Sequence, residues 1–238
     1  MISMQRYFLK GKKDNQLMLY EQDEHHIKKV MRNKENDHIE AVWQDTIYLC
    51  NIDSINPLTL SIIDERKEDR DLNIELTIAV SLVYEQKFDL ILQKLTELGV
   101  SRIIPVKTER SIVKIDDSKI TKKYQRWQTI CKEASEQSHR TNIPKVERIM
   151  TLQELTKEVA DTKLICSLGE STKPLHTYLN ENIKSLLFVI GPEGGFSEKE
   201  EKLLVENSFE RTTLGKRVLR VETAAMYVAS IINYVYGG

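Results

Sequence analysis

From Ile74 onward, short apolar runs alternate with segments of helical period, and no other feature of the chain restricts its fold so strongly. IELTIAVSLV has the length and β-branched content of a buried strand. In EQKFDLILQKLTELG, Phe88, Ile91, Leu92, Leu95 and Leu98 form a helical stripe, and Gly99 stands where a C-terminal cap belongs. RIIPV is the next strand. Asp116, Asp117 and Ser118 then offer N-cap groups to a long helix running to about Ser138. A helix over TLQELTKEVA, strands over KLICSL and SLLFVI, and a helix over SEKEEKLLVEN follow, the last opening on the capping-box pair Ser197 and Glu200. Val221, Ala224, Ala225, Val228, Ile231, Ile232 and Val235 line one face of a final helix. Alternation of this kind implies an α/β domain with a largely parallel sheet.

Upstream the rhythm differs. RYFL, LMLY, HIEAVW, TIYLCNI and LTLSII are short extended pieces separated by turn-prone residues, a spacing that suits a small β-barrel or sandwich. Within them DEHHIKKVMRNK reads as one short helix, with Ile27, Val30 and Met31 at helical spacing. DERKEDRDLN, residues 64–73, reads as a charged, exposed linker. The expected domains are therefore 1–70 and 71–238.

A net charge of −1 hides a local asymmetry. Residues 107–148 carry 11 Lys and Arg against 6 Asp and Glu, so a basic stretch sits in a near-neutral chain. Such a stretch is either a polyanion contact or a solvated helix face. The 3 cysteines, Cys50, Cys131 and Cys166, are widely spaced and match neither a disulfide framework nor a zinc site, so no metal is expected. The N-terminus lacks a signal-peptide pattern and no apolar run is long enough for a membrane span, which makes cytoplasmic residence the expectation.

Three loops stand at the expected carboxyl ends of strands, where open α/β sheets bind ligands: SLGEST, IGPEGG and LGKRVLRVETA. Each places a glycine directly after apolar residues, so backbone can approach a ligand closely. Neither the P-loop spacing nor the dinucleotide fingerprint is present, and Glu193 would repel a phosphate while tolerating a cationic ligand.

IGPEGGFSEKE and LGKRVLRVETAAMYVASIIN together resemble the C-terminal signature of SPOUT-class RNA methyltransferases, and more narrowly the RsmE family. MQRYFL, HHIKKVMR, QKFDLILQKLTELGVSRIIPVKTERS and RWQTICKEASEQSHRTNIPKV resemble that family in the same order, so the likeness covers essentially the whole chain. It departs from the family at Glu35-Asn36-Asp37, where a glycine-aspartate turn is usual; Asn tolerates the left-handed conformation such a turn needs.

The resemblance implies a PUA-like β-barrel, binding RNA, followed by a SPOUT α/β domain with a C-terminal deep trefoil knot. It implies a homodimer that uses S-adenosyl-L-methionine, yields S-adenosyl-L-homocysteine, and methylates N3 of one uridine in bacterial 16S ribosomal RNA within the small subunit. Leu168, Gly169, Ile190, Gly191, Pro192, Glu193, Gly194, Gly195, Leu214, Gly215, Val218, Leu219 and Arg220 are then the cofactor residues. Because uracil N3 must lose a proton, Glu193 and Glu222 are candidate bases and Arg220 a candidate anion stabiliser. Glu222 could equally be a carboxylate answering the dipole of the last helix. Arg6, Arg32, Arg110, Arg126 and Arg140 are candidate phosphate contacts, and His139 could stack on a base or be a plain surface residue. Three other readings remain open: a SPOUT enzyme for another RNA position, a non-catalytic RNA-binding protein, and a nucleotide-binding regulator, the last disfavoured by the missing Walker lysine.

Overall fold

The protein is described from a computed structural model over residues 4–68, 70–111, 113, 117–167, 169 and 172–237. Its residues separate into two compact units. The first comprises residues 1–70 together with Ser135–Asn142, and the second residues 71–134 and 143–238. The excursion Ser135–Asn142 was not foreseen from the sequence, which assigns everything after residue 70 to one domain.

The first unit contains strands β1 (Arg6–Phe8), β2 (Gly11–Lys13), β3 (Gln16–Met18), β4 (His38–Trp43), β5 (Thr46–Ile55) and β6 (Leu58–Lys67). β1, β4, β5 and β6 form one sheet in that order, β1 parallel to β4 and the others antiparallel, while β2 and β3 form a separate hairpin. Tyr7, Leu9, Ile27, Ile39, Ala41, Cys50 and Ile52 pack its core. The turn before β4 is made with Asn36 at φ 71°, the left-handed conformation expected there.

Two expectations fail in this unit. Asp64–Lys67 is strand rather than linker: Thr46 pairs with Lys67 and Ile47 with Arg66, so the charged run is the end of an edge strand, whose open side suits charge. Residues 23–34 are not one regular helix. Helix α1 (Glu21–His25) passes into a π-helical turn at His26–Val30. The wider turn breaks the 3.6-residue phase, so Ile27 is fully buried while Val30 and Met31 are exposed.

The second unit contains β7 (Glu75–Ser81), helix α2 (Glu85–Glu97), β8 (Arg102–Lys107), α3 (Ile120–Gln137, its last residues counting with the first unit), β9 (Lys145–Val146), β10 (Met150–Thr151) and α4 (Leu152–Leu155). β11 (Thr162–Cys166), β12 (Lys173–Pro174), β13 (Ser185–Ile190), α5 (Glu198–Glu206), β14 (Glu210–Thr213) and α6 (Val221–Tyr236) complete it. The sheet order is β10-β8-β7-β13-β11-β14-β12, with β9 beside β8, and every pairing is parallel.

Side-chain alternation divides the core in two. Leu76, Ile78, Leu164, Leu186 and Phe188 face the cluster containing residues of α2, α3 and α6; Ala79, Ile165, Leu187 and Val189 face the one containing residues of α4 and α5. Gly99 ends α2 at φ 86° as expected, and α5 carries the Ser197–Glu200 capping box.

Helix boundaries are where the sequence misleads. The helix expected over residues 151–160 is one turn, Leu152–Leu155, and beyond it Glu158 pairs with Arg102 at 3.0 Å. A 3₁₀ turn at Asp117–Lys119 precedes α3, and Asp116 lies outside the described residues. In α6, Ala229 and Tyr236 are buried, whereas Ile231 is only half-buried and Val235 is exposed. β14, spelled ERTT, has no apolar alternation, and only the glycine loop that follows it marked a strand end there.

Candidate cofactor site

β13, β11 and β14 are neighbours, and being parallel they end on the same edge of the sheet. The three glycine loops are the segments leaving those ends. They enclose a cavity of about 250 Å³.

Of the residues expected to hold the cofactor, Gly169, Ile190, Gly191, Pro192, Glu193, Gly195, Leu214, Gly215, Val218 and Leu219 line this cavity. Leu168 lies outside the described residues. Gly194 and Arg220 are not among the lining residues. The carbonyl of Gly194 instead accepts a bond from Arg110 Nη1 at 2.7 Å. Sequence reasoning missed Cys166, Ser167, Phe196, Glu201, Arg217, Val221 and Ala224. Cys166 and Ser167 end β11 and could have been included from that position. Phe196, Glu201 and Val221 carry no local signal, since only folding brings α5 and the start of α6 to the cavity.

The central loop is tightly built. Gly195 adopts φ 66° and its N–H donates to the Pro192 carbonyl at 2.8 Å. A Cβ on Gly191 would lie 3.1 Å from the Phe196 ring, so close packing as well as ligand approach favours glycine there. Glu200 Oε1 accepts from the Glu109 N–H at 2.7 Å and Oε2 from the Ser197 N–H at 2.8 Å, fixing the loop after β8 beside the loop after β13. Ile190, Phe196, Leu214, Leu219, Val221 and Ala224 give the cavity apolar walls, with Glu193, Glu201, Arg217 and Ser167 as its polar edge. A ligand with a flat apolar body and charged ends fits such a lining.

The ionisable groups differ in their environments. Burial pushes the Glu193 carboxyl upward, but a bond from its own backbone and the Lys87 ammonium at 3.0 Å outweigh this and hold it below the ordinary carboxylate range. Glu193 is therefore an ionised, paired group and a weak base. Glu222, by contrast, has a buried Oε2 with no hydrogen-bond partner among the described residues, one residue from the cavity-lining Val221. An unsatisfied buried acceptor is costly, and such groups in native folds call for an explanation. Arg220 is exposed at the N-cap of α6, and its carbonyl accepts from the Ala224 N–H at 2.8 Å. Burial raises the Cys166 thiol to about 11, with the Glu201 charge adding to the effect. Among the described residues, no group of three or more His, Cys, Asp and Glu could hold a metal ion.

Two of the candidate RNA contacts are buried. Arg6 is 1% exposed and Arg140 4%. The Arg6 guanidinium donates to Glu40 Oε2 at 2.7 Å and to the backbone carbonyls of His139 and Arg140, so it is spent inside the first unit. Arg140 Nη2 donates to Asn142 at 2.7 Å. Sequence cannot distinguish a buried structural arginine from an exposed one in a basic stretch. Arg32, at φ 55°, is exposed, and His139, at φ 57°, is partly exposed. Arg126 is exposed and pairs with Asp89, and Arg110 is turned onto the central glycine loop.

Comparison with known proteins agrees with this architecture. The sequence model for the RNA methyltransferase domain family matches residues 70–233. The chain is 37% identical to the ribosomal RNA small subunit methyltransferase E of Bacillus subtilis, over 97% of this chain and 96% of that protein. It superposes with a TM-score of 0.89 on the crystal structure of the Neisseria gonorrhoeae enzyme of that name bound to S-adenosyl methionine, at 30% identity and 99% coverage of both chains. A methyltransferase of Legionella pneumophila, solved with bound cofactor SAM, gives a TM-score of 0.91 at 28% identity over 98% of each chain. The α/β fold is thus the SPOUT type that the sequence resemblance implied. With a family match over most of its length and a full-length relative above 30% identity, the chain belongs to the ribosomal RNA small subunit methyltransferase E family of RNA methyltransferases.

Proposed function

We propose that this protein transfers the methyl group of S-adenosyl-L-methionine to N3 of a uridine in 16S ribosomal RNA of the small subunit. The observation that carries the reading is the convergence of three glycine loops, from adjacent parallel strand ends, on one cavity with apolar walls and carboxylates at its edge. Bound there, the cofactor supplies an electrophilic sulfonium methyl, so the protein's task is positioning and proton handling.

Backbone groups of Gly169, Gly191, Gly195 and Gly215 hold the cofactor, and Ile190, Leu214, Val218 and Leu219 cover its apolar part. Glu222 is the preferred base for the N3 proton, because its buried Oε2 lacks a partner. Glu193, paired with Lys87, instead holds its loop in register. Arg220, whose side chain is exposed and which is adjacent to the cavity-lining Leu219, stabilises the uracil anion as N3 loses its proton. Because N3 lies on the Watson–Crick edge, the uridine must be unpaired or turned out of its stack.

The first unit, with its four-stranded sheet and hairpin, acts as a PUA-like RNA-binding barrel, and Arg32, Arg126 and His139 remain candidates for RNA contact. The exposed Tyr227, Tyr234 and Val235 of α6 suit a homodimer interface. The C-terminal segment from β14 onward forms the trefoil knot of the family, and the ribosomal substrate assigns the protein's work to the cytoplasm. No helix among the described residues is long and apolar enough to cross a membrane.

The test is methyl transfer from labelled S-adenosyl-L-methionine to small ribosomal subunits lacking the modification, followed by nucleoside analysis. 3-Methyluridine is the expected product. Another methylated nucleoside would retain the cofactor reading and overturn the substrate, and absence of both incorporation and cofactor binding would favour a non-catalytic RNA-binding role.

A further inference from the structure

Ser167 and Glu201 line the cavity, yet neither has a role in the chemistry above. Ser167 is 3% exposed. Its Oγ accepts a bond from the Gly169 N–H at 3.1 Å, while its hydroxyl donates to Glu201 Oε1 at 2.9 Å. The second carboxylate oxygen of Glu201 accepts from Arg211 Nε at 3.1 Å. A bonded path therefore runs from Arg211 on β14, through Glu201 on α5, to the loop that leaves β11.

The direction of every bond in this path is fixed by chemistry. A guanidinium only donates and a carboxylate only accepts, so the Ser167 proton points to Glu201 and its lone pairs are left for Gly169. The bond to an ionised carboxylate is the stronger kind, and polarisation along the path makes the serine oxygen a better acceptor. Glu201 is in the first turn of α5 with Glu198 and Glu200, yet its two oxygens are occupied by Ser167 and Arg211. A loop amide held by such a path loses less conformational freedom when a ligand docks.

We propose that Arg211, Glu201 and Ser167 form a positioning relay that holds the Gly169 amide in place at the cavity and sets cofactor affinity. The proposal rests on the reading that the cavity takes S-adenosyl-L-methionine. None of the three is assigned to the methyl-transfer step itself. Loosening the relay should therefore raise KM for the cofactor and leave kcat at saturation little changed.

Two kinds of measurement test it on the full-length protein. Hydrogen exchange at the Gly169 amide, followed by NMR without ligand, reads the relay directly. Ser167→Ala and Glu201→Ala should each speed exchange about tenfold, and the double variant should add little, as expected of residues acting in one network. Calorimetry and steady-state kinetics should show cofactor Kd and KM rising about tenfold with kcat within about twofold, the pattern of lost uniform binding. Ser167→Thr, which keeps the hydroxyl, should restore both. Glu201→Gln, which keeps an acceptor for Ser167 but turns an amide toward Arg211, should fall between wild type and Glu201→Ala and serves if the alanine variant folds poorly. Unchanged Gly169 exchange in Glu201→Ala and Glu201→Gln would overturn the relay, as would a fall in kcat with cofactor affinity intact. If the wild-type protein fails to bind S-adenosyl-L-methionine, the functional reading falls, and the exchange data still decide whether the relay exists.

Discussion

Arg6 and Arg220 are the same residue type put to opposite uses in the two units. Arg6 is enclosed, its guanidinium divided among the Glu40 carboxylate and two backbone carbonyls of the segment Ser135–Asn142. Arg220 is exposed beside the cavity lining, at the start of α6. The difference teaches that an arginine's role follows from where its partners are. Arg6 closes a contact between residues more than 130 positions apart in sequence, as the separations of 133 and 134 to His139 and Arg140 show. Arg220 has its charge left over for a ligand. The first unit thus encloses Arg6 in a buried polar cluster, whereas Arg220 stays exposed beside the glycine-loop cavity.

The sharpest way to break this comparison is to remove each arginine. Arg6→Ala should destabilise the first unit by about 3–5 kcal/mol, because it leaves the buried Glu40 without one of its two arginine partners. Denaturant titration followed by Trp43 fluorescence, in a Trp127→Phe background, isolates that unit, since the chain has 2 tryptophans. A loss well under this range would mean that Arg66, which also binds Glu40, carries the cluster. Arg220→Ala should do the reverse, changing stability by no more than about 0.5 kcal/mol while methyl transfer falls about 100-fold. An unchanged rate would remove Arg220 from the reaction.

Gly191→Ala probes the site from the backbone side. Its new Cβ would approach the Phe196 ring to 3.1 Å, and moving that ring should weaken S-adenosyl-L-methionine binding about tenfold at a modest stability cost. Equal affinity by calorimetry would show that the ring yields freely.

A smaller effect is expected from acid. Burial acts to raise the Glu40 carboxyl, but hydrogen bonds from Arg66 and Arg6 and their charges prevail and hold it below its ordinary value. Its folded-state pKa is depressed, so its contribution is present above the unfolded carboxylate value of about 4.3 and is lost as pH falls through the folded value. Trp43-detected stability of the first unit should decline with acid in that window, and Glu40→Gln should flatten the decline. A wild-type curve identical to that of Glu40→Gln would show that the cluster does not titrate with unfolding.

How much of this was legible beforehand depended on the range of the interaction. Strands such as Ser185–Ile190 and helices such as Glu85–Glu97 are written in local periodicity, and the capping box at Ser197 and Glu200 is a four-residue pattern. The loops carrying Gly191, Gly195 and Gly215 were readable because a glycine after a strand is a local signal. The body of β14 carried no apolar pattern of its own, since Glu-Arg-Thr-Thr becomes a strand only through pairing with β11 and β12, and only the loop after it marked its end. The π-helical turn at His26–Val30 escaped for a related reason, since its burial does not follow the regular helical phase.

By itself the sequence determined the α/β alternation, the upstream β-rich region, the three glycine loops and the family resemblance, because each resides in residue types at short spacings. Only the tertiary structure decided which charged residues are available. It buried Arg6 and Arg140, turned Arg110 onto the Gly194 carbonyl, paired Glu193 with Lys87, and left Glu222 Oε2 without a partner. The physical reason is that a charged group's role is set by desolvation and by the partners within a few ångströms of it. The partners of Arg6, Arg110 and Glu193 lie between 34 and 134 residues away in the chain, a distance over which composition and periodicity carry no information.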